Sequence, residues 1–279
     1  MTAGNIVVIS EEAGGRKGNY FDGTDDYVLH DAHAVARVAA GDTVGTYTTW
    51  IYINDVTAAQ TILSAGHSAG ATEYFQIFIE GGELKARLYH GGANKWQISE
   101  TVGTLEAKKW THIALVQNGT QPALYVNGKN VAVTNDVSTD LTDWYDELTQ
   151  CDKFAIGVKE SNAGHTQDFT GAIGRTKYFN VALTPEEILE DKKEVAFTSR
   201  PAALETARVF DISMAQDGIT DDGSGADNGS LTGHAYYGGL ISDWAYHLNF
   251  DGHITGHAAE FMNTFIDGSK YVTIIKKGD

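Results

Sequence analysis

The chain has 279 residues with 20 basic and 37 acidic side chains, a net charge of −17. A chain this long buries roughly three quarters of its unfolded surface, enough for a full core without staples, and 42% apolar residues argue against disorder. The negative charge argues against nucleic-acid partners, whose phosphates demand Lys and Arg. No run approaches the ~18 apolar residues of a membrane-spanning helix, so no membrane insertion is expected. A single cysteine, Cys151, excludes an internal disulfide framework and a Cys-based zinc cluster, and it reads as a small buried thiol. The start of the chain, MTAGNIVVIS, has no basic n-region and too short an apolar stretch for a secretory signal.

In chain order, the apolar period is two almost everywhere before residue 183. Tyr47–Ile53 reads as a strand rich in aromatic and β-branched residues, followed by Ile62–Ser64. Tyr74–Ile79 and Leu84–Tyr89 flank Gly81-Gly82 and predict a hairpin. Thr111–Gln117 leads to the turn Asn118-Gly119, and Ala123–Val126 and Lys129–Val133 predict a second hairpin about Asn127-Gly128. Asn-Gly closes such hairpins because both residues accept positive φ at little cost. Phe154–Val158 and Thr176–Phe179 complete the set. A helix is predicted from Thr184, an N-cap followed by Pro185 and by Glu187 three residues on. Asp217–Gly233 reads as a Gly/Asp-rich loop, and Tyr271–Ile275 as a last strand. Short strands at this spacing predict an all-β fold, an antiparallel two-sheet sandwich with one short helix.

The runs YFDGTDDYV (20–28), TYTTWIYI (46–53), TILSAGH (61–67), KWTHIALV (109–116), ALYVNGKNVA (123–132), FAIGV (154–158) and FTGAIGRTKYFNVALTPEEI (169–188) resemble laminin-G-like, concanavalin A-like lectin/glucanase domains. The resemblance covers residues 18–190 and implies a jelly-roll of two curved sheets. It suggests a domain over 1–195 and a C-terminal β extension over 196–279. Asn249-Phe250-Asp251-Gly252 faintly echoes the domain's own start, and the extension reads as an assembly or attachment element, packed on the sandwich or paired with another subunit. Within the sandwich, Trp50, Phe169 and Phe179 are expected between the sheets. Relatives carry an Asp after the Gly-x-Ile of the last strand that helps hold calcium; here that position is Gly174.

Candidate chemistry is sparse. Sandwich glycosidases place carboxylates as Glu-x-Asp-x-Glu on one strand, and no such string occurs; Glu186–Glu190 and Glu190–Glu194 fall in the closing helix. No enzyme activity is expected. The pairs His30/His33 and His253/His257 lack a third ligand fixed by sequence and read as surface or interface histidines, although Asp31 leaves a metal open for the first. Asp217, Asp221, Asp222 and Asp227 crowd one glycine-rich loop and form the candidate calcium site, with no cofactor otherwise required. A glycan site would use a rim aromatic beside amides and carboxylates. The loop Tyr89–Trp96 has that composition, with His90, Asn94 and Trp96, and Asn162–Asp168 has it in His165 and Asp168. Such domains usually act outside cells, and with no secretory signal the first expectation is a virion surface protein, a phage decoration, fibre, spike or tail component. Its partners would be copies of itself, other virion proteins or a host glycan. The alternative is an extracellular bacterial carbohydrate-binding or adhesion module, and a divergent polysaccharide hydrolase is a weaker third.

Overall fold

The computed structural model describes residues 18–101, 103–160, 164–193, 202–212, 214 and 223–225, with the backbone of three later strands. In chain order the elements are β1 (Gly18–Asp22), β2 (Tyr27–Leu29), α1 (Asp31–Ala40), β3 (Gly45–Ile53), β4 (Gln60–Gly66), β5 (Tyr74–Glu80), β6 (Glu83–His90), β7 (Ala93–Glu100) and β8 (Trp110–Gln117). β9 (Pro122–Val126), β10 (Lys129–Asn130), β11 (Val133–Ser138), β12 (Lys153–Ile156), β13 (Thr170–Phe179), α2 (Pro185–Lys192), α3 (Ala202–Ala207) and β14 (Arg208–Ile212) follow. The last three are β15 (Ser230–Thr232), β16 (Tyr236–Ile241) and β17 (Trp244–His247).

Two antiparallel sheets form a jelly-roll sandwich. Among the described residues the first runs β10-β9-β8-β3-β13-β1-β16-β17, with β14 also on β13. The second runs β11-β7-β6-β5-β4-β12-β2-β15. β13 pairs with β3 along one edge; its other edge takes β1 over Thr170–Gly174 and β14 over Thr176–Phe179. β14 to β17, all from beyond residue 195, therefore hydrogen-bond into both sheets. The predicted Tyr271–Ile275 strand lies outside the described residues, as do His253 and His257.

The expected turns are present: Gly81 and Gly82 have φ of 64° and 85°, and Asn127 and Gly128 have 52° and 80°. Positive φ at both central positions matches the right-handed strand twist. Thr184 caps α2 in a full capping box with Glu187. Two further helices, α1 and α3, accompany it, so the expected single helix is a correction. α1 has no side-chain N-cap bond, since its N-cap is His30, and it carries few of the start signals that mark α2.

Between the sheets lie Tyr47, Phe75, Trp96, Trp144, Tyr145, Phe154, Phe169 and Tyr178, all buried. A polar thread runs through them. His33 Nε2 meets Tyr47 Oη at 2.8 Å, and Tyr47 Oη meets Tyr145 Oη at 2.6 Å. Trp144 Nε1 donates to Tyr178 Oη at 3.1 Å, which donates to Asp42 at 3.0 Å. Burial holds all three phenols well above the usual tyrosine range. His30 and His33 are fully buried rather than on the surface, because α1 docks its inner face on β12 and Phe210: the His33 and Phe210 rings lie 4.2 Å apart. Cys151 is a buried free thiol, as expected, and burial raises its pKa.

Trp50 and Phe179 are not between the sheets. Trp50 clusters with Tyr52 and Trp110, and Phe179 with Ile188 of α2, on the outer face of the first sheet. β3 is buried at every position, so hydrophobicity could not tell its two faces apart. On that outer face α2 is tied down by Asp191. Its carboxylate accepts from Lys177 Nζ at 2.9 Å and Thr48 Oγ1 at 2.7 Å, with His112 Nε2 at 3.6 Å. Burial depresses the His112 pKa against the pull of Asp191. Asp191→Ala leaves a buried ammonium without this counter-charge, and urea unfolding is expected to show a loss of about 3–5 kcal/mol; a loss below about 1 kcal/mol would contradict this docking. Cys151 is expected to react with Ellman's reagent only in denaturant; prompt reaction of the native protein would contradict its burial.

Candidate functional site

In β5 and β6 the pleat sends Phe75, Ile77, Ile79, Leu84, Ala86 and Leu88 into the core. The alternate residues face outward and pair across the strands as Tyr74 with Tyr89, Gln76 with Arg87, and Phe78 with Lys85. The Tyr74 and Tyr89 rings stack, with centroids 4.9 Å apart and planes 10° from parallel. Arg87 spreads its guanidinium over Tyr74 and Phe78, 5.3 and 4.7 Å from the ring centres. Its Nε and Nη2 both donate to Gln76 Oε1, at 2.8 and 2.5 Å. Gln76 Nε2 in turn donates to Gln167 Oε1 at 2.6 Å and Thr61 Oγ1 at 2.5 Å. Every polar atom of the buried Gln76 amide is thereby engaged, which fixes its orientation.

Gln167 arrives on the segment between β12 and β13, which folds across β4. Ser64 Oγ donates to Val158 O at 2.9 Å and accepts from Glu160 N at 2.8 Å. Thr61 N donates to Gln167 O at 2.8 Å, and Lys159 and Thr166 bond each other's backbones. Gln167 adopts φ of 58°, a left-handed turn that few side chains accept without such anchors. The segment places Lys159 Nζ 4.6 Å from the Tyr74 ring centre. Burial, and then the charge of Arg87, lower the Lys159 pKa. His165 Nε2 meets Glu160 Oε2 at 2.8 Å, and its ring lies 4.1 Å from that of Tyr27.

The two loops chosen from sequence thus flank Tyr74, one through Tyr89 and the other, Asn162–Asp168, through Lys159, which precedes it and pairs with its Thr166. His165 is exposed and Asp168 half-buried on the second of them. Desolvation raises the Asp168 pKa, with a further push from Asp22 and Asp25. His90 lies 3.6 Å from Asp143, and Asn94 pairs opposite Tyr89. Trp96 is a correction: it is fully buried, donates from Nε1 to Asp143 O at 2.9 Å, and stacks on Trp144. Residues 89–96 are not a rim loop but a hairpin turned at Gly91-Gly92, and its register sets Trp96 opposite the core residue Leu88. Tyr74, Gln76, Arg87 and Lys159 were not singled out in sequence. The first three left a signal, an outward set of aromatic, amide and cationic groups alternating with core residues. Lys159 left none, since only the folded segment brings it to Tyr74.

Asp217, Asp221, Asp222 and Asp227 lie outside the described residues. Among those described, Asp22, Asp25 and Asp26 bring carboxylate oxygens within 4.8 Å of one another. They form a turn, in which Asp22 accepts from Thr24 N and Asp26 from Asp22 N, both at 2.8 Å.

Residues 22–189 match the family model Laminin_G_3, the concanavalin A-like lectin/glucanases superfamily. The chain belongs to this superfamily. Among curated proteins no sequence relative is found. Among solved structures, the chain is similar to the CBM40 module of the Ruminococcus gnavus IT-sialidase bound to α2,3-sialyllactose, with a TM-score of 0.53 and 18% identity over 64% of this chain and 97% of that one. A Bacteroides ovatus protein described as carbohydrate-binding aligns with a TM-score of 0.51 and 17% identity, over 84% of this chain and 69% of its own. A leech intramolecular trans-sialidase aligns with a TM-score of 0.51 and 20% identity, over 69% of this chain and 29% of its own. At these identities the likeness is one of fold.

In this lectin-like sandwich Trp96 and Tyr89 hold opposite places. Trp96→Ala is expected to cost about 3–5 kcal/mol in urea unfolding, and Tyr89→Ala about 1 kcal/mol. Equal costs would contradict the inward and outward assignment.

Proposed function

We propose that this chain is a non-catalytic carbohydrate-binding module and that it recognises saccharide on the outer face of β4–β6. The observation that carries the reading is the Tyr74–Tyr89 pair set against the ordered Gln76, Gln167 and Arg87 side chains. A sugar offers an apolar C–H face and a ring of hydroxyls. Aromatic rings take the first, and the half-exposed Arg87 guanidinium and Gln167 amide, held in fixed directions by the buried Gln76, take the second. Gln76 is locked before any ligand arrives, which limits the ordering cost of binding. The Ruminococcus CBM40 module bound to sialyllactose and the Bacteroides protein described as carbohydrate-binding support the same reading. A virion role draws no support from them.

Binding without turnover fits the groups beside the rings. They are hydrogen-bond donors and amides, whereas glycoside hydrolysis uses two carboxylates about 5–9 Å apart on either side of the bond. Glu160, the acid closest in sequence to Lys159, is engaged by His165.

A glycan array screened with the full chain, followed by calorimetric titration of each glycan bound, tests this. Tyr74→Ala is expected to weaken binding by about tenfold or more, equivalent to about 1.4 kcal/mol, with the far-ultraviolet spectrum unchanged. An array with no glycan bound, or affinity indifferent to Tyr74→Ala, would overturn the proposal.

A further inference from the structure

Among the described residues, eight of the fourteen Lys and Arg side chains have a carboxylate within 4.0 Å. Arg37 lies 3.3 Å from Asp42, Lys153 2.6 Å from Asp31, Lys177 2.9 Å from Asp191, and Arg175 2.5 Å from Asp211. Arg87 and Lys159 are among the six that have none, with Lys95, Lys108, Lys129 and Lys192, and they are the two that share an aromatic ring, that of Tyr74. The two Arg87 hydrogen bonds end on one neutral amide oxygen, which leaves Nη1 without a hydrogen-bond partner among the described residues. Lys159 Nζ makes no hydrogen bond to a described residue. Glu160 is turned to His165, and the carboxylates around Lys85, Glu80 and Glu83, lie at the far end of β5 and β6.

Placing two half-buried like charges over one ring without a counter-ion costs free energy, because each makes it harder to keep the other charged. The depressed Lys159 pKa has Arg87 as its second cause, after burial. A chain with 37 acidic side chains has many ways to place a carboxylate nearby, yet among the described residues none lies within 4.0 Å of either cation. Such an arrangement becomes favourable when the counter-charge arrives with a ligand, since charge-assisted bonds to a guanidinium and an ammonium are the strong ones.

We infer that the saccharide bound here is acidic, its carboxylate or sulfate group held between the Arg87 guanidinium and the Lys159 ammonium while a sugar ring packs against Tyr74 and Tyr89. The inference rests on the carbohydrate-binding reading and names the ligand class for that face. Arg87 suits the anion because its planar donors match two oxygens at once, and Lys159 adds a point charge on a flexible stem. The stacked rings keep both cations partly dry, which strengthens their pull on an anion relative to open water.

The test uses the full chain and an array of lactose, sialyllactose, sulfated lactose, oligogalacturonate and neutral galactan oligosaccharide. Acidic glycans are expected to bind, and their neutral counterparts to bind about tenfold more weakly or worse. Carboxyl reduction and desulfation then tell which anion is read. Lys159→Gln and Arg87→Gln are each expected to lower affinity for the acidic glycans at least about tenfold, with the salt dependence of binding reduced. Arg87 also orients Gln76, so Lys159→Gln, on a different segment, serves as the variant least able to disturb the sheet; melting temperatures check both. Equal binding of lactose and sialyllactose, or neutral glycans alone bound, overturns the acidic ligand and leaves the module reading standing. Acidic glycans bound with affinity indifferent to both substitutions overturn this placement of the anion. No binding to any glycan overturns both.

Discussion

The pairing of Tyr74 with Tyr89 and of Gln76 with Arg87 fixes both faces of the second sheet together. A slip of β6 by one residue against β5 would turn Leu84, Ala86 and Leu88 to solvent and drive Arg87 inward. Burial of the apolar set therefore holds the outward set in place, and the site inherits the stability of the core. The turn at Gly81-Gly82 locks the same register, because its amides also bond Thr57 O and Val56 O at 3.1 and 2.9 Å.

The two sheets divide the labour. β3 and β8 of the first are buried along their whole length, with α2 and an aromatic cluster against their outer face. β6 of the second alternates between half-exposed and buried positions. In the second sheet β4 is also buried throughout and β5 all but at its ends, and the half-exposed polar and aromatic face lies at β6 and the Tyr74 end of β5. β13 spans the first sheet and joins β3, β1 and β14, and the segment just before it carries Lys159 and Gln167 across β4. Core packing and site geometry meet in that short stretch of chain.

Where a feature depends on a few neighbouring residues, the sequence reveals it. The glycines at 81 and 82, Asn127-Gly128 and the Thr184–Glu187 box each specify their own local geometry, and the structure has all three. The family pattern over 22–189 likewise carries the fold. Features that depend on which face is inside are less legible. Trp50 and Phe179 sit on strands buried on both sides, and Trp96 was hidden in a hairpin whose Gly91-Gly92 turn resembles a loop. α1 escaped because its polar residues are buried, His33 against Tyr47 and Phe210 and Arg37 against Asp42 and the Tyr178 ring, most of these partners far away in sequence. The site was half visible: composition pointed to the two flanking loops, while the Tyr74–Arg87 face needed the register and Lys159 needed the tertiary path.

The most direct test of the account is side-chain NMR of the full chain, labelled at glutamine and arginine nitrogens, during titration with a glycan it binds. The account predicts the largest shifts at the Gln76 and Gln167 amides and at Arg87 Nε–H, which share one hydrogen-bonded network. Shifts confined to other regions, such as Gln117 or the α2 side of the first sheet, with Gln76 and Arg87 unmoved, would contradict it.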